Sequence, residues 1–321
     1  MLDFEPQDRT VAEVHKFLLG GVGPRPIALV STVSADGRVN LSPFSFFNVF
    51  GANPPTIAFS PSRRVRDNTV KDTYNNLLAT PECVVQAVTY DMVQQVSLAS
   101  TEYETGVDEF VKSGLTKIAS DIVKPPRVKE SPFQMECRLL QMLPLGEGPG
   151  SGNLAICKVV KFHVDERILD NGVIHPQKID LVARMSADFY CRANGGAIFE
   201  VAKPVGRNGV GVDSLPDFVR ESSVLSANNL GQLGNCERIP DQGEVLEFVE
   251  SFPPLMGGED DLVRLQQTGE YRSLFRVARA LDRTDPGSAS QWMVLSAKRA
   301  LEVNDTQFAW CALLYSHRLA N

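Results

Sequence analysis

Apolar residues fall at helical spacing over Val11–Leu19, where Val11, Val14, Phe17 and Leu18 recur at i, i+3, i+6 and i+7. Gly20, Gly21 and Gly23 end that helix, and Pro24 and Pro26 keep the following chain extended. The pattern then changes to β-branched and apolar runs. Ile27–Val33 reads as a strand, Ala35-Asp36-Gly37-Arg38 as its turn, and Val39 onward as the returning arm of a hairpin. Thr56–Phe59, Cys83–Val88, Gln134–Leu143 and Leu154–Val164 are further strands. Helices are expected between them over Asn68–Ala79, Tyr90–Ala99 and Gly106–Ser113. Short strands separated by turn signals predict a mainly β fold, a barrel with flanking helices. No GxGxxG follows a strand, which disfavours a doubly wound dinucleotide fold.

After Val201-Ala202-Lys203-Pro204 the texture becomes helical, with segments at Leu215–Leu225 and Gly243–Phe252. A second break at residues 251–258 precedes a mainly helical tail, with helices expected over Glu259–Leu281 and Ser288–Val303. The chain is therefore expected to divide into residues 1–203 and a mostly helical extension, 204–321.

Composition narrows the function. With 321 residues and 43% hydrophobic positions the chain can bury a core, and a net charge of -7 argues against general affinity for nucleic acid or anionic membrane. Any phosphate-bearing ligand must meet a local basic patch. Met1–Thr10 lacks the apolar run of a signal peptide and no later stretch is long enough to span a bilayer, so a cytoplasmic protein is expected. Six cysteines stand singly, without a CxxC pair, and read as reduced, mostly buried thiols rather than a metal site.

Two stretches carry candidate chemistry. Asn40-Leu41-Ser42-Pro43-Phe44-Ser45-Phe46-Phe47-Asn48 puts hydroxyls, amides and three phenylalanines into an expected loop or strand edge, which suits a flat heteroaromatic ligand. Ordinary core is the alternative for the phenylalanines. Ser60-Pro61-Ser62-Arg63-Arg64-Val65-Arg66-Asp67-Asn68-Thr69-Val70-Lys71-Asp72-Thr73 gathers cations and hydroxyls ahead of an expected helix. Arginine forks, a lysine point charge and free amides at a helix N-terminus would seat a phosphate. A solvated surface is the alternative reading.

These stretches occur in order with Gly23-Pro24-Arg25-Pro26-Ile27-Ala28, Ser31-Thr32, Val107-Asp108-Glu109-Phe110 and Lys124-Pro125-Pro126-Arg127-Val128. Leu181-Val182-Ala183-Arg184 and Tyr190-Cys191-Arg192-Ala193 follow. From about residue 10 to residue 203 the chain resembles the flavin reductase-like, flavoredoxin-type family of FMN-binding split barrels. The resemblance implies a homodimer of six-stranded split barrels, with FMN at the dimer interface and NADH or NADPH as electron donor. It places Ser31 and Thr32 beside the flavin or its tail, and Ser45, Phe46, Phe47 and Asn48 along the isoalloxazine. Ser60, Arg63, Lys71, Asp72 and Thr73 would address the ribityl phosphate. Arg184 matches an arginine that the family follows, after one apolar residue, with two glycines; here Met185-Ser186-Ala187 stands instead. Residues 209–240 resemble an extension in one longer subgroup.

Hydride transfer to a flavin needs chiefly stacking and orientation, so no obligatory acid or base is required. His163 and His175, flanking an expected turn at Leu169–Gly172, are candidates for a place near the nicotinamide. Three activities remain open: an NAD(P)H-dependent flavin oxidoreductase supplying a monooxygenase or other electron-accepting protein, an FMN-containing electron carrier, and a flavoenzyme recruited to a small-molecule substrate.

Overall fold

The computed structural model describes residues 1–201 and 206–320. The chain divides into two compact units, one up to Glu200 and one from Val201 onward. The boundary expected at 203/204 lies outside the described residues.

The first unit is built on a seven-stranded antiparallel sheet. Its strands are β2 (Ala28–Val33), β3 (Val39–Phe44), β4 (Phe47–Ala52), β5 (Pro55–Phe59), β6 (Glu82–Ala87), β9 (Phe133–Pro144) and β10 (Asn153–Val164), in the order β3-β2-β6-β9-β10-β5-β4. The two outer strands, β3 and β4, are consecutive in the chain and joined only by Ser45 and Phe46. The sheet must therefore curl until its edges approach, which makes it a split barrel. Ala28, Val30, Phe44, Ile57, Phe59, Val85, Cys137 and Cys157 form the interior cluster.

A small sheet of β1 (Arg25–Pro26), β13 (Val182–Arg184) and β14 (Tyr190–Arg192) stands beside two short ribbons, β7 (Lys117–Ile118) with β8 (Arg127–Val128), and β11 (Leu169–Asp170) with β12 (Val173–Ile174). Helices α1 (Val11–Gly21), α2 (Asp72–Ala79), α3 (Val93–Ala99), α4 (Glu109–Ser113) and α5 (Pro176–Ile179) complete the unit. Leu29 and Leu41, on the outer face of the sheet, cluster with Met92 and Val96 at α3 and Phe110 on α4.

Seven strands replace the expected six because residues 47–52 form a strand. Its side chains from Asn48 to Ala52 are exposed, so no buried alternation announces it, and only backbone pairing to β5 defines it. α2 begins four residues later than expected because Asn68 takes a left-handed φ of 58° and the chain from Arg64 to Thr69 closes on itself by backbone hydrogen bonds.

The second unit is helical: α6 (Asp217–Arg220), α7 (Ala227–Gly234), α8 (Gln242–Ser251), α9 (Glu259–Thr268), α10 (Tyr271–Arg279), α11 (Pro286–Glu302) and α12 (Thr306–Ala320). The expected helix 259–281 is two helices, because Gly269 adopts φ 76° and caps α9. The expected helix 215–225 shortens to α6, which starts after Pro216. Phe248, Phe252, Phe275 and Phe308 meet in tilted and edge-to-face pairs at 4.9–6.2 Å, the geometry ring quadrupoles favour.

Candidate functional site

Adjacent strand residues point to opposite faces, and this separates Ser31 from Thr32. Ser31 is fully buried on the outer face opposite Leu41 and donates to the carbonyl of Pro126 at 2.5 Å. Thr32 faces the other way, where its hydroxyl accepts from Asn76 Nδ2 at 3.0 Å. On that face Asn40 Oδ1 accepts from Thr73 Oγ1 at 2.8 Å, and Asn40 Nδ2 donates to Glu109 Oε1 at 2.7 Å. Glu109 also accepts from the Leu41 amide at 3.0 Å. Burial pushes this carboxyl above its ordinary range, against those two hydrogen bonds. Glu109 thereby fixes the Asn40 amide, and Asn40 fixes Thr73 at the start of α2.

A small polar cavity opens at this network, lined by Asn40, Ser42, Arg64, Lys71, Asp72, Thr73 and, from the loop after α3, Ser100 to Tyr103. Lys71 is the N-cap of α2, so the first amides of that helix border the cavity without intrahelical partners. Among the described residues the Lys71 ammonium has no hydrogen bond or ion pair, and the Phe44 ring lies 5.7 Å from it. Burial depresses its pKa below the ordinary lysine value, and the Arg64 guanidinium adds to the effect. Arg64 is braced by Glu102 at 3.0 Å and by Thr69 and the Val70 carbonyl, each at 2.9 Å. A desolvated, unpaired cation beside a second cation, hydroxyls and a helix N-terminus is a seat for an anion.

The structure thus gathers Thr32, Lys71, Asp72 and Thr73 of the residues picked from sequence. It adds Asn40, Ser42, Arg64 and Glu109. Arg63 turns instead to Asn68 Oδ1 at 2.8 Å, and Ser60 Oγ accepts from the Asn153 amide at 3.1 Å. Both lie outside the lining of this cavity. The signal for Arg64 was its place in the basic run; nothing in the sequence decided which arginine turned inward.

Asn40, Ser42 and Phe44 share one face of β3, which leads to the turn at Ser45 and Phe46. Four residues of strand span about 13 Å. Phe46 is exposed at its turn with His15 edge-on at 6.2 Å, and Asn48 is exposed, with its side-chain oxygen accepting from the Val49 amide at 2.8 Å. Phe47 borders an apolar cavity of about 950 Å³ with Ile27, Ile57, Met135, Val159 and Phe162. Ile57, Met135 and Val159 belong to the interior cluster, so this cavity is the open end of the barrel.

Arg184 stands apart from both cavities. It lies over Tyr190 at 4.5 Å and donates to the Ala187 carbonyl at 2.5 Å. Ala187, where the family resemblance leads one to expect glycine, holds a left-handed φ of 47°. That conformation costs a non-glycine residue about 1–2 kcal/mol, partly offset by the smaller entropy alanine loses on folding. Ala187→Gly is therefore expected to stabilise the protein by about 0.5–1 kcal/mol, read as a higher urea midpoint with unchanged slope.

His163 and His175 do structural duty. His175 Nδ1 accepts from Gln177 at 3.2 Å and caps α5. His163 Nε2 lies 2.7 Å from Glu136 Oε1, and Glu136 also accepts from the amides of Asp121, Ile122 and Val123 at 2.6–2.9 Å. Asp121 pairs in turn with Lys161. These donors occupy the Glu136 carboxylate and pin the 121–123 loop to β9. All six cysteines are free, with Cys83, Cys137, Cys157 and Cys311 buried and Cys191 and Cys236 partly so.

Comparison with known proteins adds an independent line. A profile of the flavin reductase like domain matches residues 21–179. Nitrilotriacetate monooxygenase component B from Bacillus cereus is 33% identical, covers 63% of this chain and 98% of its own, and superposes with a TM-score of 0.59. An uncharacterized protein of Aquifex aeolicus is 35% identical over 60% of this chain and 97% of its own length. A split barrel domain protein from Shewanella frigidimarina shares the fold, at 24% identity and a TM-score of 0.53, over 63% of this chain and all of its own.

Proposed function

Because the chain belongs to the flavin reductase-like family and is a flavin oxidoreductase, we propose that it binds FMN as its flavin and reduces it with NADH or NADPH. The observation that carries the choice of FMN is the Lys71 ammonium at the N-terminus of α2, which has no hydrogen bond or ion pair among the described residues. Lys71, Arg64, Thr73 and the first amides of α2 hold the phosphate, with Asp72 at the mouth. Asn40, fixed by Glu109, and Ser42 address the ribityl hydroxyls. Ser45, Phe46, Phe47 and Asn48 border the isoalloxazine, about one strand length away. Bound FMN supplies the hydride acceptor; the protein's part is to stack and orient the donor and exclude water.

The Bacillus cereus relative is a monooxygenase component. By analogy, reduced flavin made by this chain passes to an electron-accepting partner enzyme. A homodimer is the assembly that this reading favours, since a cavity of about 950 Å³ lined by apolar side chains otherwise faces water. Among the described residues no helix is long and apolar enough to cross a membrane.

Anaerobic mixing of the holoprotein with each nucleotide tests the activity. Bleaching of the flavin absorbance within seconds is expected, followed by reduced flavin in the filtrate. No bleaching at millimolar NADH and NADPH would show an electron carrier fed by another protein.

A further inference from the structure

β13 and β14 form a ribbon in which Arg184 stands opposite Tyr190 and Val182 opposite Arg192. These four side chains share one face. Across from them stand Tyr90, Val93, Gln94 and Ser97, from the turn before α3 and from α3 itself. The space between is a cavity of about 390 Å³, within the range of small-molecule sites.

Each guanidinium is braced by an aromatic ring. Arg192 lies 3.8 Å over Tyr90, and Arg184 lies 4.5 Å over Tyr190. Such stacks fix the planes of the guanidiniums and leave hydrogen-bonding edges free. Arg192 uses Nε and Nη2 on Asp180, at 2.8 and 2.7 Å, and its Nη1 has no acceptor among the described residues. Arg184 uses Nη2 on the Ala187 carbonyl, with the fully exposed Asp188 at 3.8 Å, and its Nε and Nη1 likewise have no acceptor. Arg25, paired with Arg184 across the β1–β13 ladder, lies outside the lining of the cavity. It is buried, and among the described residues it is bonded only to the carbonyls of Leu19, Val22 and Met185, with its Nε unsatisfied.

We propose that this cavity binds the adenosine end of a nicotinamide dinucleotide bearing a 2′-phosphate, with the purine against the tyrosine–arginine stacks and the phosphate on the free edges of Arg184 and Arg192. It rests on the reading that a nicotinamide nucleotide is the electron donor, and it makes NADPH the preferred one. Val93 and Val182 give the purine an apolar floor. A phosphomonoester accepts from the single donors left free, Nη1 of Arg192 and Nε and Nη1 of Arg184, which a ribose hydroxyl would leave idle. α3 connects this cavity to the proposed FMN phosphate seat: Ser97 lines one, Ala99 and Ser100 the other.

The test is calorimetric titration of the FMN-loaded full chain with 2′,5′-ADP, 5′-AMP and inorganic phosphate, alongside NADPH- and NADH-driven bleaching. Tighter binding of 2′,5′-ADP than of 5′-AMP, by about tenfold or more, is expected, with Arg184→Ala and Arg192→Ala each removing most of the difference. Ser97→Asp, at an exposed position lining the cavity, sets a carboxylate against the phosphate while keeping both arginines and should act the same way. In all three variants the KM for NADPH should rise about tenfold or more while kcat and FMN affinity hold. Equal binding of 2′,5′-ADP and 5′-AMP, or a preference that survives these substitutions, overturns the site while NADPH bleaching leaves the donor reading intact. Loss of FMN affinity in Arg184→Ala without change in 2′,5′-ADP binding would return Arg184 to the flavin and also overturn it. If 2′,5′-ADP binds through these arginines but neither dinucleotide bleaches the flavin, the site stands and the donor reading falls.

Discussion

Lys71→Met should weaken FMN binding by about 10- to 100-fold, the value of one charge-assisted contact to phosphate, and leave riboflavin within about twofold. Riboflavin lacks the phosphate, so it reports whether the substitution has disturbed the ring site. The same substitution should raise the thermal midpoint of the flavin-free protein. The lysine pKa is depressed by burial and by Arg64, so the folded state disfavours the charged form. At neutral pH the charge is therefore destabilising, and stability is recovered only as pH rises through the lowered folded value toward about 10.4, the ordinary one. Methionine keeps the stem and removes the charge. Fluorescence titration with FMN and riboflavin, with unfolding curves of both apoproteins from pH 7 to 10, checks both halves. Equal weakening of the two flavins would remove Lys71 from the phosphate; an apoprotein melting lower than the parent would contradict the unpaired charge.

Glu136→Gln is expected to have the largest effect on stability. The carboxylate is fully buried, and burial alone would raise its pKa, yet the amides of Asp121, Ile122 and Val123 together with His163 hold it at about 2. A depressed carboxyl stabilises the fold fully above its unfolded value, about 4.3, and loses that contribution as pH falls toward 2. The difference corresponds to about 3 kcal/mol. Glutamine turns an NH₂ group toward amides that need an acceptor, so a loss of about 2–4 kcal/mol at pH 7 is expected. Urea unfolding at pH 7 and pH 3 decides it: the parent should weaken toward acid more steeply than the variant, and the two should converge. Parallel pH profiles would show that another group carries the acid sensitivity.

Much of the barrel was legible in the sequence because its central strands are buried on both faces. Ala28–Val33 is buried throughout, and its apolar and β-branched residues, broken only by the hydroxyls of Ser31 and Thr32, mark such a strand. β4 was not legible, because its exposed side chains carry no period and its identity rests on pairing with β5. α12 presents the opposite case. Residues 308–313 are buried on every side, so the run has no amphipathic face to mark a period, and only its placement among the other helices of its unit explains it.

At the site, the chain order of residue types pointed by itself to a flat ligand bearing a phosphate. A basic run ahead of a helix and an aromatic stretch after a hairpin are local facts, and the structure places them at a polar cavity lined by Arg64 and Lys71 and at an exposed turn carrying Phe46. Which side chains reach the cavity was decided only by tertiary structure. Strand alternation sent Ser31 and Thr32 to opposite faces; a loop closed by Asn68 turned Arg63 aside and left Arg64 beside Lys71. Sequence adjacency fixes which residues are near a site along the chain. The face each one presents depends on pairing register and burial, and those are set by residues far away in sequence.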